Sequence, residues 1–167
     1  MHIHYSLAAL HRATRTSAQL MCLAAAPTLL LGQESKPPKG ADAIAISTDA
    51  APDAAYAGLA HVLIARGYGL QTSDATLHVL TTTARKVDGA GAVQITAIVT
   101  ADSAGSVIEL RGVWRWSTAT SILGSAEVAT WPIEYGGAGS SPKRKAWNEL
   151  DTIARAYPDG RVEYRKQ

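Results

Sequence analysis

Ser140, Ser141, Pro142 and Lys143 run in the order S-x-x-K. That spacing sets a lysine amine one helical turn beyond a serine hydroxyl, where it can activate the oxygen as a nucleophile. The companion motifs S-D-N and K-T-G do not occur in the chain. Ser141 followed by Pro142 is also an ordinary helix start, with the hydroxyl as cap and proline at the first position. A capped helix is the simpler expectation. A small serine hydrolase using the Ser-x-x-Lys pair at residues 140–143 is the enzymatic alternative.

A glycine-rich run, Gly136, Gly137, Ala138 and Gly139, leads into that helix, and Lys143, Arg144 and Lys145 follow. Helix N-termini present free N–H groups, so Gly137, Gly139, Ser141, Lys143 and Arg144 form a candidate anion site. The run lacks the G-K-[ST] ending of a phosphate loop, and a solvated connection explains the same residues. Beyond the leader, the histidines are His61 and His78. Two imidazoles without a neighbouring carboxylate make a poor metal site, so neither a metal nor a cofactor is expected. Asp49 and Asp53 suit compensation of a helix dipole, and Glu149 and Asp151 show no partner that would mark a shifted pKa.

Phenylalanine is absent, which makes Trp114, Trp116, Trp131 and Trp147 prominent. Exposed, such a group could stack on sugars or hold a partner protein. Buried, these are the largest pieces of an alanine-rich core. Ile108 and Leu110 share the strand face of Trp114 and Trp116, which favours the buried reading for the four.

These residues must be positioned by strands and two helices. Residues 43–47 alternate as a first strand. Asp49 and Pro52 mark a helix start, and Ala55, Leu59, Val62 and Leu63 give it an apolar stripe. Gly67 ends it at a left-handed position. Residues 68–72 and 75–83 read as strands, with a turn over residues 86–92. Val93, Ile95, Ala97 and Val99 alternate with polar neighbours, and residues 107–116 follow after a tight connection. Residues 117–124 carry no clear pattern. Residues 127–135 read as a strand demoted near Pro132. Ala146, Leu150, Ile153, Ala154 and Tyr157 form the stripe of the second helix, and residues 161–165 suggest an edge strand. The expected fold is α+β: a mainly antiparallel sheet of four to six strands, with two amphipathic helices on one face, in the order β-α-β-β-β-β-α-β.

The chain has 167 residues, 47% hydrophobic and 18% charged, which suits one globular domain. Its net charge of +2 sits in the first 32 residues, which hold Arg12 and Arg15 and no acid. The remainder is balanced, which argues against nucleic-acid binding through a basic excess. Arg12 and Arg15 precede the uncharged run of residues 20–31, and Gly32 ends it. A positive region, a short apolar region and a small residue make a secretory signal, expected over residues 1–32. The run is too short to span a membrane, and Pro27 interrupts it. Cys22, the single cysteine, offers a lipidation site, although Met21 precedes it and more apolar residues follow. Membrane contact is expected only with that lipid. Residues 33–41, with Pro37 and Pro38, read as a polar tether, and residues 42–167 as the domain.

Residues 63–70 (LIARGYGL), followed by residues 74–79 (DATLHV), resemble a pattern of small bacterial envelope proteins. There a helix ends in glycine and an aromatic residue, and an aspartate-led strand follows. The lipopolysaccharide-assembly lipoprotein and related auxiliary lipoproteins are similar in this way over residues 43–115. The resemblance is mostly architectural and carries no catalytic residues. The leader, the balanced charge of the remaining chain and the missing site chemistry imply a place in the periplasm or outside the cell, with an envelope protein or a glycan as partner. The resulting expectation is a non-catalytic exported binding or assembly module, with a self-associating structural module as a third reading.

Overall fold

The computed structural model describes residues 36–118 and 127–167, which lie within the compact unit Glu34–Gln167. The expected signal segment with Cys22, the start of the tether, and residues 119–124 of the unpatterned stretch lie outside the described residues.

The elements run β1 (Ala43–Thr48), α1 (Pro52–Ala65), β2 (Leu70–Asp74), β3 (Val79–Thr82), β4 (Arg85–Val87), β5 (Gly91–Asp102), β6 (Gly105–Thr118), β7 (Glu127–Pro132), α2 (Pro142–Ala156) and β8 (Arg161–Arg165). All described strands join one antiparallel sheet in the order β2-β3-β5-β6-β1-β8, with β4 paired to β5 and β7 to β6. The α+β class holds, but among the described residues the sheet has eight strands rather than four to six.

The long β5–β6 hairpin is the spine. Val93, Ile95, Ala97 and Val99 point to one face and are buried, while Ile98 and Thr100 on the other are exposed. Period-two alternation lets one face enter the core and leaves the other in water. Gly105 closes the hairpin at φ +141, and a Cβ there would lie 2.7 Å from Asp49 Cα. Shorter strands share each flank of this spine. β3 and β4 meet successive stretches of β5, and β1 and β7 meet successive stretches of β6.

Both helices cover the face that carries Ile44, Ile46, Ile108 and Leu110, forming one core with them. Leu59 and Leu63 of α1 and Trp147, Leu150 and Ile153 of α2 are buried there. Each such side chain stabilises the fold by about 1.5–3 kcal/mol. α2 is amphipathic as expected. α1 is not cleanly so: Ala54, Ala57 and Ile64 are exposed on its outer side.

Three local expectations are corrected. The helix α1 has Ala51 at its N-cap with no side-chain bond, so Asp49 is not its cap. The strand expected over residues 75–83 is interrupted by a turn. Asp74 Oδ1 accepts from the amides of Thr76 and Leu77 at 2.9 and 3.0 Å, and His78 takes φ +51. These side-chain bonds offer the backbone an alternative to the ladder. Gly40 and Ala41, read as tether, are tied to Tyr135 by backbone hydrogen bonds of 2.8 and 2.7 Å.

Candidate functional site

Register brings three of the four tryptophans together. Arg85 of β4, Val93 of β5, Trp114 of β6 and Trp131 of β7 stand in one row across the sheet. Two residues further along each strand, on the same face, Val87 pairs with Gly91 and Trp116 with Ala129. The rings of Trp114 and Trp131 stack with centroids 4.7 Å apart and an interplanar angle of 27°. Trp114 and Trp116 are half-buried, and Trp131 is 41% exposed. Trp116 has small neighbours on both sides, and a Cβ added to Gly91 would lie 3.2 Å from its ring carbon Cε3. The result is an aromatic ledge near the edge strand β7.

Trp147 does not belong to it. It is 1% exposed on the inner side of α2, packed edge-on to Tyr135 at 5.6 Å and tilted to Tyr164 at 5.9 Å. The grouping of four tryptophans as one ligand surface is corrected to three, because the second helix carries the fourth into the core.

The glycine loop and the start of α2 bind each other. Ser141 Oγ accepts from the Arg144 amide at 3.3 Å, as a cap does, and donates to the Ala138 carbonyl at 2.8 Å. Lys143 Nζ pairs with Glu134 Oε2 at 2.6 Å. Arg144 lies over the Tyr135 ring at 4.0 Å and donates to the carbonyls of Gly136 and Gly137, each at 3.3 Å. These two glycines therefore turn carbonyl oxygens, not N–H groups, towards the arginine. Gly139 borders open space.

His78 meets Asp53 at 2.7 Å between Nε2 and Oδ1, a carboxylate partner that the sequence does not assign to it. Tyr56 packs edge-on to His78 at 5.9 Å, and its hydroxyl lies 2.6 Å from Ser73 Oγ. His61 is exposed on α1. Among the described residues, no group of three His, Cys, Asp or Glu side chains could hold a metal ion. No described helix is long and apolar enough to cross a membrane. A cleft of about 180 Å³ opens beside the β5–β6 turn, lined by Asp49, Asp102, Arg161 and Glu163 among others.

No family model matches this chain, and no curated protein matches it in sequence.

A polar knot under α2 is also missed by the sequence reading. Glu149 Oε1 accepts from Arg85 Nη2 at 2.6 Å and from the Tyr68 hydroxyl at 3.2 Å, and Arg66 Nη2 lies 3.8 Å away. Arg85 stacks over the Tyr68 ring at 4.5 Å. Burial first, then the Glu149 charge, pushes the Tyr68 hydroxyl up to about 12. The one available signal is Glu149 at the border of the α2 stripe, between Ala146 and Leu150.

Proposed function

We propose that this chain is an exported, non-catalytic accessory module of the cell envelope, and that it binds a glycan on the ledge of Trp114, Trp116 and Trp131. The carrying observation is the stack of a half-buried indole beneath an open one, Trp114 under Trp131. The electron-rich face of an indole attracts the polarised C–H groups of a sugar ring, and the lower ring holds the upper one flat.

The pattern of exposed apolar residues favours a small flat ligand over a broad protein interface. Ile64 lies on α1, Leu77 in the β2–β3 turn, and Ile98 and Val128 on the sheet face away from the helices. Among the described residues these do not join Trp131 in one patch, whereas a stable protein interface needs roughly 800 Å² per partner. The non-catalytic reading is supported by the engagements of Ser141 and Lys143, whose polar atoms already serve the cap and the Glu134 pair. Export is supported by Arg12 and Arg15 before the apolar run of residues 20–31, and envelope placement by the resemblance to auxiliary lipoproteins.

The test has two parts. Intact mass after cell fractionation is expected to show a chain starting near Gln33 in the periplasm or medium. An uncleaved cytoplasmic chain would remove the export reading. Soluble fragments of envelope glycans are then titrated against the protein while tryptophan emission is followed. Saturable quenching that disappears in Trp131→Ala supports the ledge. Quenching that survives that replacement places any binding elsewhere.

A further inference from the structure

Two guanidinium groups converge on one carboxylate oxygen. Arg66 follows the last turn of α1, Arg85 opens β4, and both reach Glu149 Oε1 of α2, at 3.8 and 2.6 Å. The charge of this knot does not balance: two cations share one anion. Its hydrogen bonding does not balance either. The Nε–H groups of both Arg66 and Arg85 are buried and have no acceptor among the described residues. Buried donors of native proteins are almost always satisfied, so two orphans on neighbouring guanidinium groups call for acceptor atoms at that place.

The side chains as a whole are 30% exposed for Arg66 and 32% for Arg85; the Nε atoms themselves are covered, so the open surface lies on other atoms of the two side chains. A guanidinium presents its N–H groups in a planar fork that matches two oxygens of one oxyanion. The Tyr68 ring under Arg85 fixes the plane of that fork. Its hydroxyl, held neutral well above neutral pH, donates to Glu149 and adds no negative charge. Glu149 uses the single oxygen Oε1 for all of these contacts and so anchors both arginines.

We propose that Arg66 and Arg85 form a binding site for an oxyanion, the phosphate or carboxylate group of a small ligand. This site stands apart from the aromatic ledge. Arg85 and Trp131 occupy opposite ends of one row, with Val93 and Trp114 between them. It is also distinct from the glycine loop, whose arginine is engaged by carbonyls.

The experiment is an NMR titration of the full chain with inorganic phosphate and, separately, with acetate, at constant ionic strength set by sodium chloride. The arginine Nε–H resonances are read directly. The Arg66 and Arg85 resonances are expected to shift together and saturate. Saturation with phosphate alone assigns a phosphate-type ligand, and saturation with both anions assigns any oxyanion group. Arg66→Gln, at a partly exposed helix end, is expected to weaken binding about tenfold, which is roughly 1.4 kcal/mol. Lys86→Gln, on the opposite face of the same strand, leaves affinity within about twofold, as a change in general charge screening would. The absence of a saturable shift with either anion would overturn the proposal, and so would equal affinity in Arg66→Gln.

Discussion

Trp131 on the edge strand β7 stands directly opposite Trp114 on β6, and their indole rings stack 4.7 Å apart. This pairing separates contact from stability. Stacking of an aromatic pair contributes about 0.5–1.5 kcal/mol beyond the area it buries. Trp131→Ala also loses the covered part of a side chain that is 41% exposed, so it should lower the unfolding free energy by roughly 2 kcal/mol and shift the remaining emission to the blue, since the open indole is the one removed. Trp147→Ala empties a core position that is 1% exposed and should cost about 3–5 kcal/mol. Denaturant melts of the two variants check this contrast. Equal costs would mean that Trp131 is a core residue and not a contact surface.

Ser141 caps α2, and Ser140 beside it is exposed without that role. Ser141→Ala should cost about 1 kcal/mol, while Ser140→Ala should stay within about 0.5 kcal/mol of the parent. Neither serine is expected to react with a fluorophosphonate probe, because the Lys143 amine is held by Glu134 at 2.6 Å. Labelling that vanishes in either alanine variant would instead establish a serine nucleophile.

The capped start of α2 is readable because Ser141 and Pro142 act within one turn of chain. The β5–β6 hairpin is readable for a similar reason: alternation from Val93 to Val99 reports burial residue by residue. The Asp74–His78 turn is not, because threonine and leucine look like strand residues until the Asp74 carboxylate captures their amides. The short strand Arg85–Val87 has no pattern of its own and exists through its partners on β5. The tryptophan ledge needs the β6–β7 register, and the arginine pair needs α1, β4 and α2 brought together. Neither relationship is local, so residue types and spacing alone cannot reveal it.

The glycines divide into those fixed by geometry and those without steric demand. Gly105 sits at φ +141 against Asp49, whereas a Cβ on Gly139 meets nothing within 4 Å. Gly105→Ala should destabilise the hairpin by about 1–3 kcal/mol, the cost of holding a side chain in a glycine-only conformation. Gly139→Ala should leave the melting midpoint nearly unchanged. It should also leave phosphate affinity at the Arg66–Arg85 site unchanged. A loss of phosphate binding in Gly139→Ala would move the anion site to the glycine loop.

Tyr68 gives the fold an alkaline limit. Burial, reinforced by the Glu149 charge, raises its hydroxyl from the ordinary 10 to about 12 in the folded chain, against the opposing pull of Arg85. Below pH 10 the hydroxyl is protonated in both states, and its full contribution to stability is present. Between pH 10 and 12 the unfolded chain releases a proton that the folded chain retains, so stability falls as pH rises through this window, by roughly 1 kcal/mol per pH unit. Tyr68→Phe keeps the ring beneath Arg85 but has no proton to release. Denaturant midpoints of the parent and Tyr68→Phe, measured from pH 9 to 12 as about half-unit steps, should therefore converge as pH rises, with the parent falling more steeply. Tyr164 is also raised, by burial and then by its bond to Asp151, and its share of the alkaline loss remains in both proteins. Parallel curves would show that the Tyr68 hydroxyl ionises as freely in the fold as in water, which its buried bond to Glu149 forbids.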